Sequence, residues 1–146
     1  MKFTAAVFLV LWTSAVEARA ALGLWQDSVA ADAQALKGNL TTKQMPGYTV
    51  QQITRTDGTV LREFVSPEGR VFGIGWQGPT MPNFPQLLGP SYVAFQQAAQ
   101  SVRRRGPLSV HAGQLVVETG GHLRAFHVRA YLADLLPSGV SQGVVQ

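Results

Sequence analysis

Three histidines, one glycine-rich stretch and one run of arginines hold most of what this chain offers for chemistry. GIGWQG, residues 73–78, has the G-x-G-x-x-G spacing that lets a backbone approach a pyrophosphate. The spacing works between a strand and a helix whose N-terminal amides face the phosphates. Here the continuation is PTMPNFP, which cannot begin a helix, and no strand–helix crossover surrounds it. No nucleotide is therefore expected, despite the match.

His111 and His127 are the candidate acid–base or metal pair, with Glu118 as the nearest further ligand. On a sheet with two-residue turns they flank Gln114 across three strands, with backbones roughly 9–10 Å apart. A metal needs a third ligand within reach, and H-E-x-x-H spacing is absent. The set His111, His127 and Glu118 is thus the alternative reading, and a solvated sheet face the simpler one. His122 has no visible partner. Ser91 and Ser109 lack a G-x-S-x-G context, so no catalytic residue is assigned and no cofactor is expected.

Binding is better supplied than catalysis. Trp76, Met81 and Phe84 lie in or beside the loop QGPTMPNFPQLLGP, residues 77–90, which is long, apolar and stiffened by proline. That loop either seals an open side of a sheet or presents a surface to a partner. Arg103, Arg104 and Arg105 complement the negative end of a helix, or contact an anionic envelope component such as lipid head groups.

These residues need elements to position them. Ser28 can cap a short helix with Val29, Ala33 and Leu36 on one face and Gly38 as its stop. YTVQQITR, TVLREFVS and RVFGIGW read as strands, turned at Asp57-Gly58 and Pro67-Glu68-Gly69. A second helix runs from about Ser91 to Gly106-Pro107. LSVH, QLVVET and HLRAFHVRAYL follow as strands, turned at Ala112-Gly113 and Gly120-Gly121. The order predicts an α+β domain of two α-βββ units, with a mostly antiparallel sheet and helices packed against it.

Register then sorts side chains to faces. The Pro-Glu-Gly turn sets Phe64 opposite Phe72, Arg62 opposite Ile74 and Val60 opposite Trp76. Tyr48, Val50, Leu61, Val65 and Val71 share the other face with a bare strip at Gly73 and Gly75. Glycine in a strand marks close approach by another backbone. The strip is expected to seat a helix or the Pro-rich loop; a ligand groove walled by Trp76 is the other reading. In the second unit Val110 is expected to face Leu115, with Val117, Val128 and Ala130 on the apolar side. His111, Glu118, His127, Arg129 and Tyr131 fall on the opposite side.

The first twenty residues read as an address. Lys2 precedes the apolar run AAVFLVLW, and Ala18-Arg19-Ala20 offers small residues to signal peptidase. Residues 1–20 are expected to be a cleaved signal peptide, with Ala18 as the fallback cut. Residues 21–146 then form one domain with a flexible tail from about 138 and no transmembrane segment. Removing Lys2, Arg19 and Glu17 leaves ten Lys/Arg against seven Asp/Glu, too mild a balance for a nucleic-acid binder. The chain has no cysteine, which removes thiol chemistry and disulfides and suits a bacterial periplasmic or envelope protein. The expected partner is an envelope protein or an anionic envelope component.

ALGLWQDSVAAD, LREFVSPEGRVFGIGWQGPTMPNFPQLLG and GHLRAFHVRAYLADLLPSGV together resemble an uncharacterised family of exported bacterial proteins, domain of unknown function 2844. The resemblance covers nearly all of residues 21–146 and implies export and a single domain. It supplies no activity, ligand or catalytic residue.

Overall fold

A computed structural model describes residues 22–102 and 106–146. Helix α1 (Ser28–Ala35) leads into four strands, β1 (Asn39–Met45), β2 (Tyr48–Thr54), β3 (Val60–Val65) and β4 (Val71–Gly78). The Pro-rich segment carries a short helix α2 (Phe84–Leu88), followed by α3 (Tyr92–Ser101). Strands β5 (Leu108–Ala112), β6 (Leu115–His122) and β7 (Ala125–Leu132) complete one antiparallel sheet in the order β1-β2-β3-β4-β7-β6-β5. The architecture is α+β and mostly antiparallel. The first unit, however, is α-ββββ, because Asn39–Met45 is a strand that sequence reasoning left out.

Each half is built from local hairpins. Gly58 and Gly69 take the left-handed backbone their turns require, at φ 87° and 85°. The Thr59 amide donates to Asp57 Oδ1 at 2.9 Å and holds that carboxyl below its usual range. The second half turns at Gly113-Gln114 and at Leu123-Arg124, not at Ala112-Gly113 and Gly120-Gly121. Gly120 and Gly121 lie within β6, Val110 pairs with Val117, and Val117 pairs with Ala130. The faces of β5, β6 and β7 nevertheless come out as expected, because an even shift of register conserves them.

The register of β3 on β4 differs from expectation for a physical reason. Val65 pairs with Val71 as the turn dictates, but a bulge then lets Phe64 pair with Gly73, so Phe72 is the extra residue. Arg62 therefore faces Gly75, and Val60 faces Gln77. Leu61, Val65 and Val71 move to the face that carries Ile74 and Trp76, while Phe64 and Phe72 join the glycines.

The two faces have different covers. The helices, the Pro-rich segment and Leu22 pack over the face of Leu61, Ile74, Trp76, Val117 and Ala130. The opposite face holds a second, aromatic cluster in which Tyr48, Phe64 and Phe72 pack with ring centroids 6.0–6.2 Å apart. Its cover is the C-terminal segment. The tail expected to be flexible from 138 lies on the sheet, with Val145 buried to 0% exposure and Tyr131 donating its hydroxyl to Gln142 Oε1 at 2.7 Å.

Candidate binding groove

The glycine strip is occupied, but by neither a helix nor the Pro-rich loop. A methyl group on Gly73 would meet Val145 Cγ2 at 2.5 Å, and one on Gly75 would collide with the Gln146 carbonyl. Absence of side chains at both positions lets the C-terminal segment lie directly on β4. Ser141, Gly143, Val144, Val145 and Gln146 thereby form one wall of an open groove of about 1200 Å³ on this face. Thr41, Lys43, Met45, Tyr48 and Val50 of the β1–β2 hairpin also line it.

Strand pairing sets the chemistry along the groove. Arg62 on β3, Gly75 on β4 and Arg129 on β7 form one transverse row, so the two arginines straddle the glycine about 9–10 Å apart. Arg62 Nε donates to Gln52 Oε1 at 3.1 Å, which fixes its side chain, and Arg62 Nη1 lies 3.5 Å from the Gln146 carbonyl oxygen. Arg129 pairs with Glu118 at 3.3 Å and lies over the Tyr131 ring at 5.3 Å. Lys43, Arg62, Arg129 and His127 line the groove, and Gln146 lies over Gly75 between the two arginines.

The histidines are not brought together. His111 pairs with Val116, which pairs with Tyr131, whereas His127 pairs with Gly120. Four residues of strand, about 13 Å, therefore separate them along the sheet, besides two strand spacings. Glu118 is held by Arg129. Among the described residues no group of three or more His, Cys, Asp or Glu could hold a metal ion.

The loop residues serve the helix-covered face. Trp76 is buried and its indole N–H donates to the Thr80 carbonyl at 3.0 Å, pinning the start of the segment. Phe84 stacks on Phe95 at 5.0 Å, and Leu87 and Leu88 are buried, so the segment seals this side of the sheet. Met81 is 42% exposed and, with Trp76, Leu36, Leu61 and Arg55, borders a smaller pocket of about 240 Å³. Arg103, Arg104 and Arg105 lie outside the described residues.

One buried group escaped the sequence reading. Glu63 is fully buried on the helix-covered face, and its carboxyl oxygens have no hydrogen-bond partner among the described residues. Burial pushes its carboxyl up to about 8, and the nearby Asp32 carboxylate of α1 adds to the shift. The available signal was alternation, since Glu63 stands between Leu61 and Val65 in the apolar set of β3.

Fold and groove together define a small open-sheet α+β domain that presents a cationic groove beside its own C-terminal segment. The chain belongs to the family described as protein of unknown function DUF2844, whose family model matches residues 18–145. No curated protein and no solved structure matches it. Among the described residues, no helix is long and apolar enough to cross a membrane.

Proposed function

We propose that the protein is an exported bacterial binding module of the periplasm or envelope, without catalytic activity, and that it holds its ligand in the groove of the open sheet face. The observation that carries this reading is the open groove itself, where Lys43, Arg62 and His127 stand beside Tyr48, Val50 and Phe64. Concave sites with a few convergent polar groups over apolar lining are the usual form of ligand pockets. The export part rests on the sequence of residues 1–20, and the charge of the groove suits the anionic partner expected there.

The reading differs from the loop-centred expectation in where the ligand sits. Phe84 stacks on Phe95 and Trp76 is held by the Thr80 carbonyl, whereas Thr41, Lys43 and His127 of the groove are exposed. The test is a titration of the isotope-labelled mature chain with fractionated bacterial envelope extract, followed by backbone amide resonances. The expected result is a saturable shift of Gln52, Arg62, Gly75 and Arg129. Shifts confined to Thr80–Leu87, or none with any fraction, would remove the groove from consideration.

A further inference from the structure

The two edges of the sheet are unlike. β5 is a short edge of five residues, and α3 packs beside it. β1 is seven residues long and pairs with β2 in unbroken register from Asn39 to Met45, with no bulge and no proline. Thr41, Thr42, Lys43 and Gln44 are exposed, and among the described residues β2 is the sole strand beside β1. Edge strands are normally blunted by short length, proline, bulges or charge, and of these β1 has only Lys43. The turn that follows fixes which backbone groups of β1 are left over. Pro46-Gly47 is a two-residue loop, so Met45 and Tyr48 exchange both backbone hydrogen bonds. Counting back by twos, Lys43, Thr41 and Asn39 also bond to β2. The N–H and C=O groups of Leu40, Thr42 and Gln44 therefore point away from the sheet.

That outward set is complementary to itself about Thr42. In an antiparallel pair of two β1 strands centred there, Thr42 meets Thr42 of the second copy, and Leu40 and Gln44 of each meet Gln44 and Leu40 of the other. All three pairs join outward-facing residues, with two N–H···O bonds in each. Thr41 then stands opposite Lys43, so no like charges face each other, and the threonine pair is a favourable cross-strand contact. Centring on Thr41 or on Lys43 leaves two such pairs instead of three, and Lys43 would also set two ammonium groups opposite one another. We infer that β1 pairs antiparallel with β1 of a second copy, about a two-fold axis through Thr42 normal to the sheet. The joined sheet ends in β5 at both sides, so growth stops at the dimer. Strand pairing alone is smaller than a permanent interface, and the dimer is reversible. The axis leaves both grooves open on the same side, and the pairing does not depend on what they hold.

Sedimentation equilibrium of the mature chain between about 10 µM and 1 mM reads the association, and amide exchange followed by NMR at both ends of that range locates it. The expected result is a reversible monomer–dimer equilibrium in which the Leu40, Thr42 and Gln44 amides become protected as the dimer fills. The Thr41 and Lys43 amides, bonded to β2, are protected at both concentrations. Thr42→Pro removes an outward N–H without touching a β1–β2 bond, a position in which an edge strand tolerates proline. Each copy then loses one donor, and dimerisation should weaken at least about tenfold. Should that variant fail to fold, Thr42→Lys sets two ammonium groups opposite one another, and the lost affinity should return in part at high salt. A monomer at every concentration overturns the inference and leaves the edge to a strand of another protein. A dimer that spares the Leu40, Thr42 and Gln44 amides, or that keeps wild-type affinity in the folded variants, overturns it too. None of these results bears on the groove, whose titration stands or falls on its own resonances.

Discussion

Val145 sits in the space that Gly73 leaves by having no side chain, with its Cγ2 2.5 Å from where a β-carbon would be. The contact joins the C-terminal segment to the middle of the sheet and closes the aromatic cluster on that face. Gly73→Ala should overpack it and cost about 1–3 kcal/mol. Val145→Ala removes two buried methyl groups and should cost about 1.5 kcal/mol. The double variant should recover part of the sum, because the smaller side chain makes room for the new methyl. Urea melts of the four proteins decide it, and strictly additive losses would mean that the segment does not rest on Gly73.

Glu63 makes stability depend on pH in a direction opposite to most carboxylates. Its folded carboxyl is raised from 4.5 to about 8, so the folded chain holds this proton more tightly than the unfolded one. The contribution is full below about pH 4.5, falls as pH rises towards 8, and is flat above. At 1.36 kcal/mol per unit the loss is on the order of 5 kcal/mol at most, and loosening of α1 around Asp32 lowers it. Glu63→Gln should match wild type near pH 5 and exceed it at pH 9. Melting temperatures that fall in parallel for both proteins across this range would contradict the buried, protonated state.

His111 and His127 are exposed and far apart, so zinc has no pair to bridge. Added zinc should leave the melting temperature of wild type unchanged, and His111→Ala and His127→Ala should each alter stability by less than about 0.5 kcal/mol. A zinc-dependent rise in wild type that is lost in both variants would restore a metal role, since binding to the native state stabilises it by mass action.

Processing is tested by mass. Expressed in a Gram-negative host, the chain is expected to lose residues 1–20 and to be recovered from the periplasm beginning at Ala21. Leu22 is 1% exposed and its amide donates to the Leu87 carbonyl at 3.2 Å, so the fold engages the chain right after the expected cut. An uncleaved, membrane-bound product would defeat the export argument.

Much of this architecture was legible because its information is local. Asp57-Gly58 and Pro67-Glu68-Gly69 mark turns by their own chemistry, and alternation in β5, β6 and β7 assigns His111, Glu118, His127 and Arg129 to one face. Strand β1 was not legible: Asn-Leu-Thr-Thr-Lys-Gln-Met has no apolar alternation, as suits an edge strand with one neighbour, although Pro46-Gly47 was a usable turn signal. The bulge at Phe72 is one extra residue that no pattern announces, and it moved a whole strand of side chains to the other face. The groove was hidden for a different reason. Arg62 and Arg129 fall in one row across β4 only because β7 pairs with it, and Val145 reaches Gly73 from the far end of the chain.

That junction of β4 with β7 also sets an order of events during synthesis. Strands β1 to β4 can zip together through their short turns as soon as they emerge, but β4 then stands at an open edge. Nearly all its residues are buried in the finished protein, and VFGIGW offers an unpaired, apolar template to any other chain. Its protection arrives only after the Pro-rich segment, α3, β5 and β6 have been made and β7 has followed them. A chain halted at Ser101 should therefore precipitate at concentrations where the intact chain stays in solution. The C-terminal segment, which can dock only on a β4 already flanked by β7, is the last piece to settle and marks the completed sheet.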